Sequence, residues 1–93
     1  MNWWMKWHQY RDREEIIGSI LRSAAKADGI IKTRIMYNSL LSYTQLIEYL
    51  DYLIGNGLLE YDRAGKVYNT TAKGLELLDI YGKLDNMSFF TNE

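Results

Sequence analysis

Apolar residues return along most of this chain at steps of three and four. Between Arg11 and Asp28, Ile16, Ile17, Ile20, Leu21, Ala24 and Ala27 share one side while Glu15, Ser19, Arg22 and Lys26 fall on the other. That period predicts an amphipathic first helix. Asp28-Gly29 ends it with turn chemistry, and the β-branched pair Ile30-Ile31 fits a strand of only a few residues. Thr33 offers an N-cap for a second helix running to about Ser39, with Ile35 and Met36 as its buried residues. A third helix follows over Ser42 to Asn56. Ser42 and Gln45 have the spacing of a capping box, and Leu46, Ile47, Leu50, Leu53 and Ile54 form the stripe that must be buried. Gly57 can take the left-handed conformation that closes the helix.

The period then changes. Leu58 to Asp62 and Val67 to Thr70 are short strand-like runs joined by Arg63-Ala64-Gly65-Lys66, a hairpin signal. Thr71 caps a fourth helix predicted to continue to about Met87. At helical spacing Gly74, Leu75, Leu78 and Gly82 lie on one side, and Leu77, Ile80, Tyr81, Leu84 and Met87 on the other. Two apolar faces need two partners. The domain covers the first; the same helix from another copy, or the aromatic N-terminus of the same chain, covers the second.

Helix, helix, helix, hairpin, helix is the order of a winged helix-turn-helix. The expected fold is α+β and mostly α: a three-helix core, a small β-wing and a C-terminal dimerisation helix. One domain spans residues 1–93, with an aromatic N-terminal extension at 1–10, the helix-turn-helix and wing at 11–70, and the last helix at 71–87. The third helix is the candidate recognition helix.

Composition sharpens this picture. A chain of 93 residues, 47% apolar, buries one modest core. Eight Tyr, three Trp and two Phe are more large rings than such a core hides, so some belong at an interface. Trp3, Trp7 and Tyr10 share a helical face beside Trp4, and they pack within the chain or against a second subunit, with a nucleic-acid stacking platform as a third use for which only Lys6 supplies nearby charge. The net charge of −1 gives no global attraction to phosphate, so nucleic-acid contact must rest on local basic patches. Lys32 and Arg34 sit at the start of the second helix, where free N–H groups already favour an anion. Arg63 and Lys66 sit at the tip of the hairpin, where a wing meets a phosphate backbone. Either pair alone also fits ordinary solvated charges.

The absence of cysteine excludes a disulfide framework and a thiolate metal site. The N-terminal apolar run is broken by Lys6 and His8, and no stretch approaches the roughly 20 apolar residues of a membrane span, so a soluble, cytoplasmic protein is expected. His8 has no nucleophile or metal-ligand partner, and the pairs Glu14-Glu15 and Glu48 with Asp51 lie on exposed helix faces. No catalytic residue, cofactor or metal is assigned, and the chain is not read as an enzyme.

Lys32-Thr33-Arg34-Ile35-Met36-Tyr37-Asn38, Leu41-Ser42-Tyr43 with Gln45, Tyr49-Leu50 and Leu53, Gly57-Leu58, and Thr71 with Lys73-Gly74 carry a resemblance over about Ile16 to Leu84. The chain resembles the small archaeal winged-helix family of transcriptional regulators, which includes dimeric DNA-binding proteins whose last helices pair as an antiparallel coiled coil. The resemblance implies a DNA-binding transcription regulator acting as a homodimer. Lys32, Arg34, Arg63 and Lys66 would contact phosphates, and Ser42, Tyr43, Thr44 and Gln45 would approach base edges. Trp3, Trp4, Trp7, Leu77, Ile80, Tyr81, Leu84 and Met87 would form the dimer interface. Two features depart from the family: Glu48 and Asp51 stand where members often carry lysine, and the last helix is shorter. The alternative from another class is a winged helix used as a protein–protein contact module or adaptor subunit, supported by the same acids and the surplus of rings.

Overall fold

The computed structural model describes residues 13–91, with side chains described through residue 84. The expectations for Trp3, Trp4, Trp7 and the side chain of Met87 lie outside the described residues. Helices α1 (Arg13–Ala24), α2 (Lys32–Ser39) and α3 (Tyr43–Gly55) are followed by strands β1 (Leu59–Asp62) and β2 (Val67–Thr70) and by helix α4 (Ala72–Thr91). The strands pair antiparallel, Leu59 opposite Thr70 and Asp62 opposite Val67. Ile30 adds a single bridge to Tyr68, so the short strand expected at Ile30-Ile31 is one residue of pairing.

The core follows from the apolar spacing. Ile16, Ile17, Ile20, Leu21 and Ala24 of α1 meet Ile35 of α2, Leu41 of the turn, Leu46, Leu50 and Leu53 of α3, and Leu58, Leu59 and Tyr68 of the hairpin. Ile54 falls off the edge of the α3 stripe and is exposed. Between α1 and α2 the contact is partly polar. The Ser19 and Ser39 hydroxyls lie 3.2 Å apart, and the Asn38 amide donates to the Ser23 hydroxyl at 3.3 Å. Ser19 therefore turns toward α2 and not, as its spacing suggested, to the open side of α1.

Backbone groups left over at the helix ends are taken up by the hairpin and its flanks. The Thr70 hydroxyl donates to the Leu21 carbonyl at 2.7 Å and the Asn69 amide to the Lys26 carbonyl at 3.2 Å, tying the wing to the end of α1. The Thr71 hydroxyl donates to the Gly57 carbonyl at 2.6 Å and Lys73 Nζ to the Asn56 carbonyl at 2.9 Å, tying the start of α4 to the end of α3. Thr71 also caps α4 as its position predicts, its Oγ accepting from the Gly74 N–H at 3.1 Å.

Two expectations are corrected here. Thr33 is not the N-cap of α2. That position belongs to Ile31, whose side chain makes no cap hydrogen bond, because the Ile30–Tyr68 bridge delivers the chain straight into the helix. The two faces of α4 also divide differently. Gly74 is buried, and Leu77, Leu78 and Tyr81 pack against the core, so steps of three and four from Gly74 define the inward face. Leu77 and Tyr81 therefore cover their own domain, and Leu75, Ile80 and Leu84 remain exposed. The helix itself runs beyond Met87 to Thr91, 20 residues in all, four more than expected.

Candidate nucleic-acid interface

The start of α3 is built by its own sequence. The Gln45 N–H donates to the Ser42 hydroxyl at 3.2 Å, and the Gln45 side-chain carbonyl accepts from the Ser42 N–H at 3.1 Å. The capping box expected from spacing is complete. It fixes the leading turn while Leu46, fully buried, anchors the helix one step later. Ser42, Tyr43, Thr44 and Gln45 are all exposed. Both Ser42 and Gln45 are engaged on their acceptor sides, and the donors of the exposed Gln45 amide take no part in the box.

The turn that joins α2 to α3 closes with a pair of backbone bonds, Leu40 N–H to the Tyr37 carbonyl at 3.3 Å and Leu41 N–H to the Met36 carbonyl at 3.2 Å. Leu41 is buried and Leu40 is exposed. This leaves the helix-turn-helix elbow on the surface beside the leading turn.

One of the expected cations reaches that turn. Lys32, in the first turn of α2, is half-buried and places Nζ 5.7 Å from the centre of the Tyr43 ring. The contact joins the starts of α2 and α3 through a cation over a π-face. Arg34 is exposed. On the wing, the Tyr61 and Tyr68 rings lie 4.8 Å apart, and the tip residues Arg63 and Lys66 are exposed. The Ala64 N–H donates to an Asp62 carboxylate oxygen at 3.0 Å, shaping the tip as an Asx turn. Gly65 is not the residue with unusual backbone; Lys66 is, at φ 56°.

Electrostatics link these pieces. Burial pushes the Tyr68 hydroxyl above its ordinary pKa; the Lys32 ammonium pulls the other way, and Tyr61, Tyr43 and Asp51 add to the rise. Groups from α2, α3 and the hairpin thus share one electrostatic neighbourhood. The acids of α3 do not stand alone either. Arg13 of α1 sits 5.2 Å from the centre of the Tyr52 ring, and Arg13, Glu48, Tyr49 and Tyr52 line one open depression of about 300 Å³. A cation therefore neighbours the trailing half of α3, which the sequence pattern alone left acidic.

Among the described residues no group of three or more His, Cys, Asp or Glu could hold a metal ion, and no helix is long and apolar enough to cross a membrane.

A helix-turn-helix whose second helix is followed by a two-stranded wing defines a class, and comparison with known families agrees. A family model described as winged helix-turn-helix matches residues 10–89, and the chain belongs to that family. Among solved structures it is similar to Sso10a-2, a DNA-binding protein from Sulfolobus solfataricus, at 25% identity and a TM-score of 0.73, covering 88% of this chain and 86% of that one. A comparison with curated protein sequences gave no match.

Proposed function

We propose that this protein binds double-stranded DNA in a sequence-specific way and regulates transcription as a homodimer. The observation that carries the reading is the exposed, self-capped leading turn of α3 with the Lys32 ammonium beside its Tyr43 ring, in a unit whose Arg34 on α2 and Arg63 and Lys66 on the wing are also exposed. The similarity to Sso10a-2, itself a DNA-binding protein, supports it. In this reading the four cations hold phosphates and fix the docking, while Tyr43, Thr44 and the amide of Gln45 face base edges in the major groove. Ser42 acts mainly through the cap that holds the turn. Arg13 shares a depression with Glu48 and places a cation beside the trailing half of α3.

The exposed Ile80 and Leu84, four residues apart on one side of α4, support self-association by offering a second copy an apolar strip, whereas the exposed Leu75 lies on the opposite side of the helix. A two-fold dimer would present two leading turns to two half-sites. Such a protein works in the cytoplasm, on the chromosome.

Fluorescence anisotropy with a mixed-sequence duplex, repeated across a range of salt, tests the reading. Affinity should fall steeply as salt rises, and Lys66→Gly should reduce the log–log slope by about one. No binding even at low salt, together with tight capture of a protein partner, would transfer the fold to the adaptor class.

A further inference from the structure

The same helix-closing motif occurs twice in this chain, and one copy is made with the wrong residue. At the end of α3, the Gly57 N–H donates to Ile54 and the Leu58 N–H to Leu53, with Gly57 at φ 72°. At the end of α2, the Leu40 N–H donates to Tyr37 and the Leu41 N–H to Met36, with Leu40 at φ 55°. The motif demands left-handed backbone at its closing residue, which glycine adopts freely and a leucine does not. Packing does not account for the leucine: Leu41 goes into the core, whereas Leu40 is 79% exposed. Its neighbours in the turn are exposed too, Tyr37 at 80% and Tyr43 at 59%. Among the described residues, the other non-glycine with positive φ is Lys66 at the wing tip. The two side chains on left-handed backbone therefore stand on the elbow, which leads directly into the first turn of α3, and on the tip of the wing. The closing motif explains the backbone at Leu40 but not the leucine, and an exposed side chain held on such backbone without a packing reason points to function.

We propose that Leu40 reads thymine: its side chain contacts the C5 methyl group at the edge of the major groove, beside the leading turn. The inference rests on the DNA-binding reading above and adds a base preference to it. A branched aliphatic group forms no hydrogen bond, and the apolar feature a base pair offers in the major groove is that methyl group. Lys32, whose Nζ stands 5.7 Å from the centre of the Tyr43 ring in the leading turn that Leu40 precedes, favours a phosphate-bearing partner over an apolar protein surface there.

The test uses the full chain with an A·T-rich duplex of about 20 base pairs and the same duplex carrying uracil in place of thymine. Leu40→Asn and Leu40→Gly both fit the left-handed position, and both should melt at or above the wild-type temperature. Wild type should bind the thymine duplex about fourfold more tightly than the uracil duplex. Both variants should lose that ratio and bind the thymine duplex no better than wild type binds the uracil one. A wild type indifferent to the methyl group, or a ratio that survives in both variants, overturns the proposal and leaves DNA binding standing. Unchanged duplex binding with lost association between protein molecules would assign Leu40 to a protein contact and overturn it as well. A wild type that binds neither duplex at low salt removes the DNA-binding reading and this proposal together.

Discussion

Ser42 and Gln45 satisfy each other across the first turn of α3, each side chain accepting from the other's backbone N–H at 3.2 and 3.1 Å. A residue that caps a helix and also faces a base has two duties that substitution can separate. Gln45→Glu keeps an acceptor for the Ser42 N–H, so stability should stay within about 0.5 kcal/mol of wild type. The same change puts a carboxylate in place of the amide donor beside the duplex, and affinity should fall. Ser42→Ala should instead lose about 1 kcal/mol of stability. Urea midpoints and duplex anisotropy on the same samples separate the two effects.

The two glycines of α4 should respond in opposite directions. A Cβ at Gly74 would run into the Leu58 carbonyl and come within 2.6 Å of Thr70 Cγ2, both held in place by the hairpin. Gly74→Ala should therefore destabilise by about 2 kcal/mol, as overpacking of a tight contact does. At Gly82 a Cβ meets nothing within 4 Å, so Gly82→Ala should gain up to about 1 kcal/mol of helix propensity. Thermal and urea unfolding of the two variants checks both signs.

How α4 divides its faces makes a further distinction measurable. Leu77 packs on the core of its own chain, whereas Ile80 and Leu84 are 50% and 47% exposed. If α4 pairs two copies as proposed, the double change Ile80→Lys with Leu84→Lys should yield a folded monomer in sedimentation velocity where the wild type is a dimer. Leu77→Lys should lower the unfolding midpoint instead, because it buries an unpaired charge. A wild type that stays monomeric at high concentration would contradict the dimer reading.

Tyr68 gives stability a dependence on alkaline pH. Burial raises its pKa in the folded state, so the folded chain keeps a proton that the unfolded chain releases. Its contribution is complete below the ordinary tyrosine range and is lost as pH rises through that range toward the folded value. Unfolding free energy measured against pH should decline there, and the decline should be smaller in Tyr68→Phe.

The elements most legible in the sequence are those with a local cause. Leu46, Leu50 and Leu53 announce α3, Ser42 with Gln45 its start, Gly57 its end, and Arg63 to Lys66 the hairpin tip. Thr33 misled because a cap depends on where the chain enters the helix, and that entry is fixed by the Ile30–Tyr68 bridge, a contact remote in sequence. Leu77 and Tyr81 misled because α4 is apolar on several sides, so spacing alone does not say which side meets the core. The candidate site could be proposed from residue types at α2, the leading turn and the wing, and what the fold adds is that the leading turn is exposed and self-capped. Leu40 and Arg13 were not legible in the sequence. Leucine carries no signal for left-handed backbone, and the place of Arg13 beside Glu48 and Tyr52 follows from how α1 lies on α3.

The central claim is that the leading turn of α3, with the wing, is the surface that meets duplex DNA. Backbone amide chemical shifts recorded while an unlabelled duplex is titrated into labelled protein test it most directly. The account predicts the largest changes at residues 32–34, 40–45 and 63–66, with α4 beyond Leu77 unaffected. Changes concentrated on Leu75, Ile80 and Leu84, with the leading turn silent, would contradict it.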